Sequence, residues 1–532
     1  MASQGKMQEL DVDSILPLVG EFSRFQYVLE AMLCISIIPQ TLQVLIMYFA
    51  AHNSPWRCTH NSTVCTFPQN MTFSSGDSLY EERCKLERKE WEFVYSKDYS
   101  IMTQFDLYCD KEIYGYLTTS LFFIGWGFGA VVLGIVADRF GRLKVLFPSL
   151  AVIIIVGFLS TFSPNFWVFL TTRIIVGFFT PGTGVQMFVM ASEFVGAKYR
   201  PLSGIILWAF FTVALIILGV QAYFIREWKK LFIISTVPYI FVLAFAKFVP
   251  ESIRWLNLNG RQEEAMKLLR RIAKFNKKEL PDNVTLKAPF TGPKVKASPI
   301  DLFVPTKMAL QSLVQSYAWM VNGLVYYGVA LASGSLSGAM YQDYILTSLV
   351  EFPAIVFAIY FCNTIGRKKT IIISLATASI SCLLIPAIPT DQGKGLSILR
   401  ILVGMIGKCG VATSFNSIYT WSVEIYPTVI RSQGMGLLQI ASRIGSAGAP
   451  WIASGLMTVH ASLPFIVMGG SSLIAVAMLF YLPETKGVKT AETFGDKENG
   501  GKELTVDFQK EADGVNAKVN MAYNNADEDS RL

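Results

Sequence analysis

The sequence predicts an all-α membrane protein: twelve transmembrane helices arranged as two six-helix bundles about a central cavity. Three observations predict it. The 532 residues are 52% hydrophobic and only 16% charged, with positive mean hydropathy, which is more apolar surface than a soluble domain of this length would hide. Apolar runs of about 20 residues, the length that crosses a bilayer, recur twelve times. Charged and glycine-containing motifs of the first six runs return in the same order in the last six.

The first six runs lie near 26–51, 112–137, 145–163, 165–192, 202–224 and 230–250. The second six lie near 309–333, 341–362, 370–389, 395–423, 434–459 and 462–483. The net charge of +7 does not require nucleic acid, because the basic residues gather in loops on one side. Those short loops carry Arg139, Arg142, Lys144, Lys198, Arg200, Arg367, Lys368, Lys369 and Arg431, so the positive-inside rule makes both termini cytoplasmic. Arg226-Glu-Trp-Lys229-Lys230 is the exception on the outer side. Residues 1–25 are mixed and polar and carry no cleavable signal, so the first span itself is expected to direct insertion.

This divides the chain into a cytoplasmic segment 1–25, an N-terminal bundle 26–250, a cytoplasmic linker 251–308, a C-terminal bundle 309–483 and a disordered cytoplasmic tail 484–532. The loop 52–111 is expected outside, and it holds Cys58, Cys65, Cys84 and Cys109. Four cysteines in an oxidising compartment predict two disulfides in any of three pairings, and no Cys-x-x-Cys favours zinc. Cys34, Cys362, Cys382 and Cys409 fall in or beside apolar spans and read as packed thiols. The sequons at Asn61 and Asn70 share the outer loop, whereas that at Asn283 falls inside and is expected to stay bare. In the linker, Ala265, Leu268, Leu269 and Ile272 recur at helical spacing among Lys267, Arg270, Arg271 and Lys274. That pattern predicts a basic amphipathic helix lying against the inner face of the membrane; calmodulin targets share it.

The repeat is specific. Arg173-Ile-Ile-Val-Gly177 returns as Arg400-Ile-Leu-Val-Gly404, Gly141-Arg142 as Gly366-Arg367, and Pro250-Glu251-Ser252 as Pro483-Glu484-Thr485. Glu193 with Arg200 seven residues on returns as Glu424 with Arg431, all at offsets of about 230 residues. The ionic members fall at cytoplasmic helix ends, around the tight turn Gly134-Ile-Val-Ala-Asp138-Arg139-Phe-Gly141-Arg142. We expect Asp138, Arg139, Arg142, Glu193, Arg200, Glu251, Gly366, Arg367, Glu424 and Arg431 to form an inner gate. Its acids and arginines would pair across the bundles while the cavity faces out, and separate when it faces in.

The turn Gly134 to Arg142 resembles the loop that opens the second helix pair of the major facilitator superfamily. Pro250-Glu251-Ser252-Ile253-Arg254-Trp255-Leu256 resembles the Pro-Glu-Ser-Pro-Arg-Trp-Leu signature of sugar porters and organic ion transporters, with isoleucine in place of the second proline. The cysteine-bearing outer loop, Ser192-Glu193-Phe194-Val195-Gly196, Lys408-Cys-Gly-Val-Ala-Thr-Ser-Phe-Asn416 and Glu424-Ile-Tyr426-Pro427-Thr428-Val-Ile-Arg431 look like the organic cation, anion and zwitterion (carnitine) transporter family. The resemblance runs from about residue 20 to 490. Sugar porters lack such a loop, and their paired glutamines are separated here as Gln311 and Gln315.

Arg443, well inside the eleventh span, is the sharpest substrate clue. An arginine in mid-membrane costs at least about 2.5 to 3.5 kcal/mol, so it should face protein or a cavity and hold an anion. In the resembling family this position is arginine in anion and carnitine carriers and aspartate in typical cation carriers, and a planar guanidinium suits a carboxylate. Glu351 matches a glutamate of the cation carriers; it would attract an ammonium group, or pair with Arg443 and cancel it. Lys408 reads either as a cavity cation or as structural. Trp319, Tyr326, Tyr327, Phe415, Asn416, Tyr419 and Trp421 lie on the seventh and tenth spans, where aromatic rings box organic substrates as readily as they pack helices. The resemblance implies cavity positions for Trp319 and Tyr326. Asn322 stands where cation carriers have aspartate, and Pro181 and Gly184 where they have lysine and tryptophan.

The expected protein is therefore a plasma-membrane secondary carrier, acting as a monomer, for small organic anions or carnitine-like zwitterions. A cation carrier of the same family is the alternative, and a transporter-like sensor without net flux is the alternative from another class. No Gly-x-x-x-x-Gly-Lys-Ser/Thr loop, metal-ligand set or catalytic constellation occurs, so no cofactor and no enzymatic activity are expected. Transport is then expected to be facilitated, exchanging or ion-coupled, the last two with an exchanged counter-substrate or a coupling ion.

Overall fold

The computed structural model describes residues 8–487 apart from 61, 63, 66, 69–70, 75–76, 78, 288–301, 305, 337–338, 390–393 and 428–429. Asn61, Asn70 and the tail beyond 487 lie outside the described residues.

Arg24–Ala50, Ile113–Phe140, Leu143–Leu159, Phe166–Glu193 and Arg200–Phe224 form the first five spans. The sixth departs from the expected continuous α-helix. Trp228–Ile234 is α-helical, and Val237–Lys247 continues as a 3₁₀ helix. The Thr236 hydroxyl donates to the Phe232 carbonyl at 2.7 Å, and Pro238 has no N–H to offer, so the α ladder cannot pass this point.

The second half runs through Thr306–Ala332, Met340–Leu349 with Glu351–Thr364, Arg367–Leu384, Lys394–Ile425, Arg431–Pro450 and Leu463–Leu479. Its eighth span breaks at Val350 because Pro353 lacks the N–H that Leu349 would receive. That break sets Glu351 in the first turn of a new helix, where backbone N–H groups favour a carboxylate. The seventh and eleventh spans nearly touch: a Cβ on Gly445 would lie 1.9 Å from the Met320 carbonyl, so only glycine lets this pair close beside Arg443.

On one face, the loop between the first two spans folds as a small unit. Strands Trp56–Cys58 and Trp91–Phe93 pair antiparallel, and Trp56, Phe73, Tyr80 and Trp91 form its core. Cys58 bonds Cys65 and Cys84 bonds Cys109, while the buried Arg83 pairs with Glu112 at the head of the second span. Cys34, Cys362, Cys382 and Cys409 are unbridged.

On the opposite face, which carries the first and last described residues, the N-terminal segment is more ordered than its polar composition implies. Gln8–Leu10 pairs in parallel with Val284–Leu286, and helix Val12–Val19 buries Val12, Ile15, Leu16 and Val19. The expected amphipathic helix forms over Gln262–Phe275, with its apolar face packed on protein. Ala265, Leu269 and Ile272 are buried within the protein core that includes the N-terminal helix, leaving Lys267, Arg270, Arg271 and Lys274 exposed. The Asn276 amide fastens this layer, donating to the Val19 carbonyl at 2.8 Å and to Gln26 Oε1 at 3.1 Å.

Candidate functional site

A cavity of about 50 Å³ lies between the halves at mid-depth, and both halves line it. From the second half come Tyr326, Tyr327, Glu351, Phe415, Asn416, Tyr419 and Arg443. The first half contributes Trp126, Trp208, Phe211 and Thr212, none of which sequence reasoning singled out. They are aromatic or polar residues inside apolar spans, with no charge among them to mark a site.

Helical spacing puts Trp319, Asn322 and Tyr326 on one face of the seventh span, turned toward the tenth. Only Tyr326 reaches the cavity, its ring stacked on Phe415 with centroids 5.5 Å apart. Trp319 does not line it: fully buried, it donates its indole N–H to Ser422 Oγ at 2.9 Å and packs edge-on to Tyr419. It is the wall behind the wall. Asn322 is also fully buried, and its amide donates to the Ala318 carbonyl of its own helix at 2.8 Å. Asn416 similarly donates to Ala412, which leaves its carbonyl oxygen at the cavity edge.

Lys408 is likewise not a cavity cation. Its ammonium lies 3.2 Å from Glu351 Oε1 and 3.4 Å from the centre of the Tyr326 ring, and it donates to the Tyr326 carbonyl at 3.2 Å. The Tyr326 hydroxyl donates to Glu351 Oε1 at 2.6 Å, and the Thr212 hydroxyl of the other half to Oε2 at 3.3 Å. Glu351 is thus charge-matched within the protein, and its partner is Lys408 rather than Arg443. A buried carboxylate takes the nearest ammonium because leaving either alone in a low dielectric is more costly.

Arg443 is placed differently. Its guanidinium stacks 3.9 Å over the Trp126 ring of the first half, beside the Tyr327 hydroxyl, and Nη1 has no hydrogen-bond partner. No carboxylate pairs with it among the described residues. The cavity therefore carries one matched ion pair and one cation that meets an aromatic face and a tyrosine hydroxyl but, among the described residues, no carboxylate.

At the loop face the halves meet through Ser333 and Tyr48, whose oxygens lie 3.1 Å apart, and through Ser120, which accepts from the Trp451 indole and donates to the Ala447 carbonyl, each at 2.7 Å. At the opposite face three of the expected gate arginines, Arg142, Arg200 and Arg367, take carboxylates of their own halves. Arg142 bonds Asp138 one turn back, Arg200 bonds Asp13 of the N-terminal helix, and Arg367 grips Glu424 with Nε and Nη2 at 2.9–3.1 Å. The Glu193 carboxylate keeps one buried oxygen without a partner, and Arg431 donates to the Tyr426 carbonyl at 3.4 Å. Arg139 is exposed over Phe140.

The two repeated glutamates have a structural job. Glu251 accepts from the backbone N–H groups of Arg142 and Leu143 at the start of the third span, and Glu484 from those of Arg367 and Lys368 at the start of the ninth. Each answers orphan donors and the positive end of a helix. Gly141 and Gly366 make this possible with φ of +115° and +104°, and a Cβ on either would strike the capping carboxylate. Burial works against the Glu484 charge, but the N–H groups of Lys486, Arg367, Thr485 and Lys368 outweigh it and hold the carboxyl below its usual range.

Comparison with known proteins gives a consistent picture. Residues 70–496 match the family model described as sugar (and other) transporter. The chain is 33% identical to solute carrier family 22 member 3 of Rattus norvegicus over 77% of its length and 74% of the relative's. It is 29% identical to an organic cation transporter protein of Drosophila melanogaster, over 92% and 95% of the two chains. It is also 29% identical to organic cation/carnitine transporter 4 of Arabidopsis thaliana, over 93% and 94%. Among solved structures it superposes on the inward-open xylose transporter XylE from E. coli with a TM-score of 0.60 at 16% identity, covering 87% of this chain and 97% of that one.

Proposed function

Because the chain belongs to the sugar (and other) transporter family and, within it, to the organic cation and carnitine carriers of solute carrier family 22, we propose that it moves small organic anions, or zwitterions of the carnitine type, across the plasma membrane by alternating access. The observation that carries the anionic reading is the charge balance of the cavity: Lys408 already answers Glu351, while Arg443 lines the space with no carboxylate partner among the described residues, and its buried Nη1 lacks a hydrogen-bond partner. A substrate carboxylate is the natural counter-charge, held by the guanidinium fork. The rings of Trp126, Tyr326 and Phe415 pack its organic body. The loop face is the outer one, in keeping with its two disulfides and with the basic loops on the opposite face. The charged clusters of that inner face are the gate, paired within halves here and across them when the cavity faces out. Flux is driven by the substrate gradient, by exchange or by a coupled ion.

The relatives named as organic cation transporters favour a second reading, in which Glu351 leaves Lys408 and takes the substrate's ammonium group. Uptake of labelled para-aminohippurate, carnitine and tetraethylammonium, beside Arg443→Ala at matched surface level, separates the two. Carboxylate uptake that the substitution abolishes supports the anion site, with carnitine marking a zwitterion carrier. Tetraethylammonium uptake that survives the substitution, without carboxylate uptake, overturns it in favour of Glu351.

A further inference from the structure

Resting on the alternating-access reading, we propose that four stacked rings at the outer end, Tyr48 and Phe49 of the first span with Tyr341 and Tyr344 of the eighth, are the outer latch of the transport cycle. Their separation would open the cavity to the outside.

The rings interleave across the two halves. Tyr48 stacks on Tyr344 with centroids 5.1 Å apart at 22°, and Phe49 stacks on Tyr341 at 5.6 Å and 3°. Phe49 also meets Tyr344 edge-on at 4.9 Å, and Tyr223 of the fifth span meets Tyr341 edge-on at 6.1 Å. Phe49 and Tyr344 are almost wholly buried, at 7% and 1% exposure, and the Ser333 hydroxyl ties the Tyr48 oxygen to the end of the seventh span. Tyr344 lies seven residues before Glu351, about 10 Å of helix toward the outside, so the stack sits over the cavity roof.

Its chemistry differs from that of the inner face. The charged side chains there would have to exchange partners as the halves rock, and each exchange leaves an ion to be resolvated. Offset and edge-on rings attract one another specifically, yet they part without leaving an unpaired charge, and tyrosine hydroxyls accept water when they do. The rings can therefore part at little electrostatic cost as the inner charges re-pair across the halves, which couples the opening of one end to the closing of the other.

The test uses the full-length chain in cells, with Cys34, Cys362, Cys382 and Cys409 replaced by serine and an Ala412→Cys reporter in the cavity wall. A membrane-impermeant maleimide added outside reads how often the cavity opens outward, normalised to surface amount. Tyr344→Ala should raise the labelling rate roughly tenfold, and Phe49→Leu, which keeps bulk but loses the ring, several-fold. Tyr344→Phe, which keeps the ring, should stay near the parent. Parent-like labelling in both Tyr344→Ala and Phe49→Leu overturns the latch while leaving the carrier reading intact. A reporter that labels from the inner side in inverted vesicles but never from outside, in any variant, overturns alternating access itself and the latch with it.

Discussion

In the first half Arg142 turns back one helical turn to Asp138, whereas its counterpart Arg367 reaches to another span and grips Glu424 with two nitrogens. The surroundings are otherwise matched: a left-handed glycine, a capping glutamate and a second acid on the neighbouring span occur in both. One of the positions that differ bears directly on the arginine. Asp138 is a carboxylate at i−4 from its arginine, and the corresponding Asn363 is not. A local carboxylate at helical spacing outcompetes a distant one, because it orders fewer side chains to make the contact. The cost falls on Glu193, the counterpart of Glu424, which is left with an unpartnered oxygen beside Ser252, Arg142 and Arg254. In the second half Thr485 also donates to Glu424, so the arginine, the acid and the threonine form one cluster there.

That asymmetry can be broken or sharpened, starting with what the halves share. Gly141→Ala and Gly366→Ala should each destabilise the purified protein by about 2–4 kcal/mol, through positive φ and loss of the glutamate cap, and to similar extents in thermal unfolding. A large difference between them would mean that the caps are not equivalent. Next comes the difference itself. Arg367→Ala abandons a carboxylate about one-fifth exposed and should cost about 1–3 kcal/mol, while Arg142→Ala frees a largely exposed Asp138 and should cost under about 1 kcal/mol.

The swap is finer. Asp138→Asn should release Arg142 to Glu193, so that the coupling of Arg142 and Glu193 in a double-mutant cycle rises from near zero to about 0.5–1 kcal/mol. An unchanged cycle would show that distance, rather than competition, keeps them apart. Smallest is the pH effect. The Glu484 carboxyl is held below its unfolded value, so its contribution is complete above the ordinary carboxylate range and fades as pH falls through that range and below. Glu484→Gln should therefore flatten the acid limb of the melting-temperature profile, and an unaltered limb would remove Glu484 from the account.

Much of the architecture was legible in the residues, and so was part of the site. Arg443 announced itself because a guanidinium in an apolar span has few places to go, and it does line the cavity. Tyr326, Phe415, Asn416 and Tyr419 also reach it, since helical spacing carries them to the same face. Trp319 shares that spacing and yet stops one layer behind, because Ser422 lies where its indole N–H can bond. Sequence spacing tells which side of a helix a residue occupies, but not how far the neighbouring helix lies from it. The pairing of Lys408 with Glu351 was hidden for the same reason: one comes from the tenth span, the other from the eighth, and no local pattern joins them. The cavity wall of the first half, Trp126 and Trp208 among it, was missed because nothing charged marked it.

By itself the sequence determined what depends on solvent and on near neighbours. Apolar runs must sit in lipid, basic loops must stay out of it, glycines mark the turns that need positive φ, and a repeat in order implies two alike halves. Only the tertiary structure decided which cysteines bond, which acid each arginine takes, and that the central arginine takes none among the described residues. Those are choices among partners on different helices, settled by distances of a few ångströms and by the high cost of leaving any one charge alone in a low dielectric.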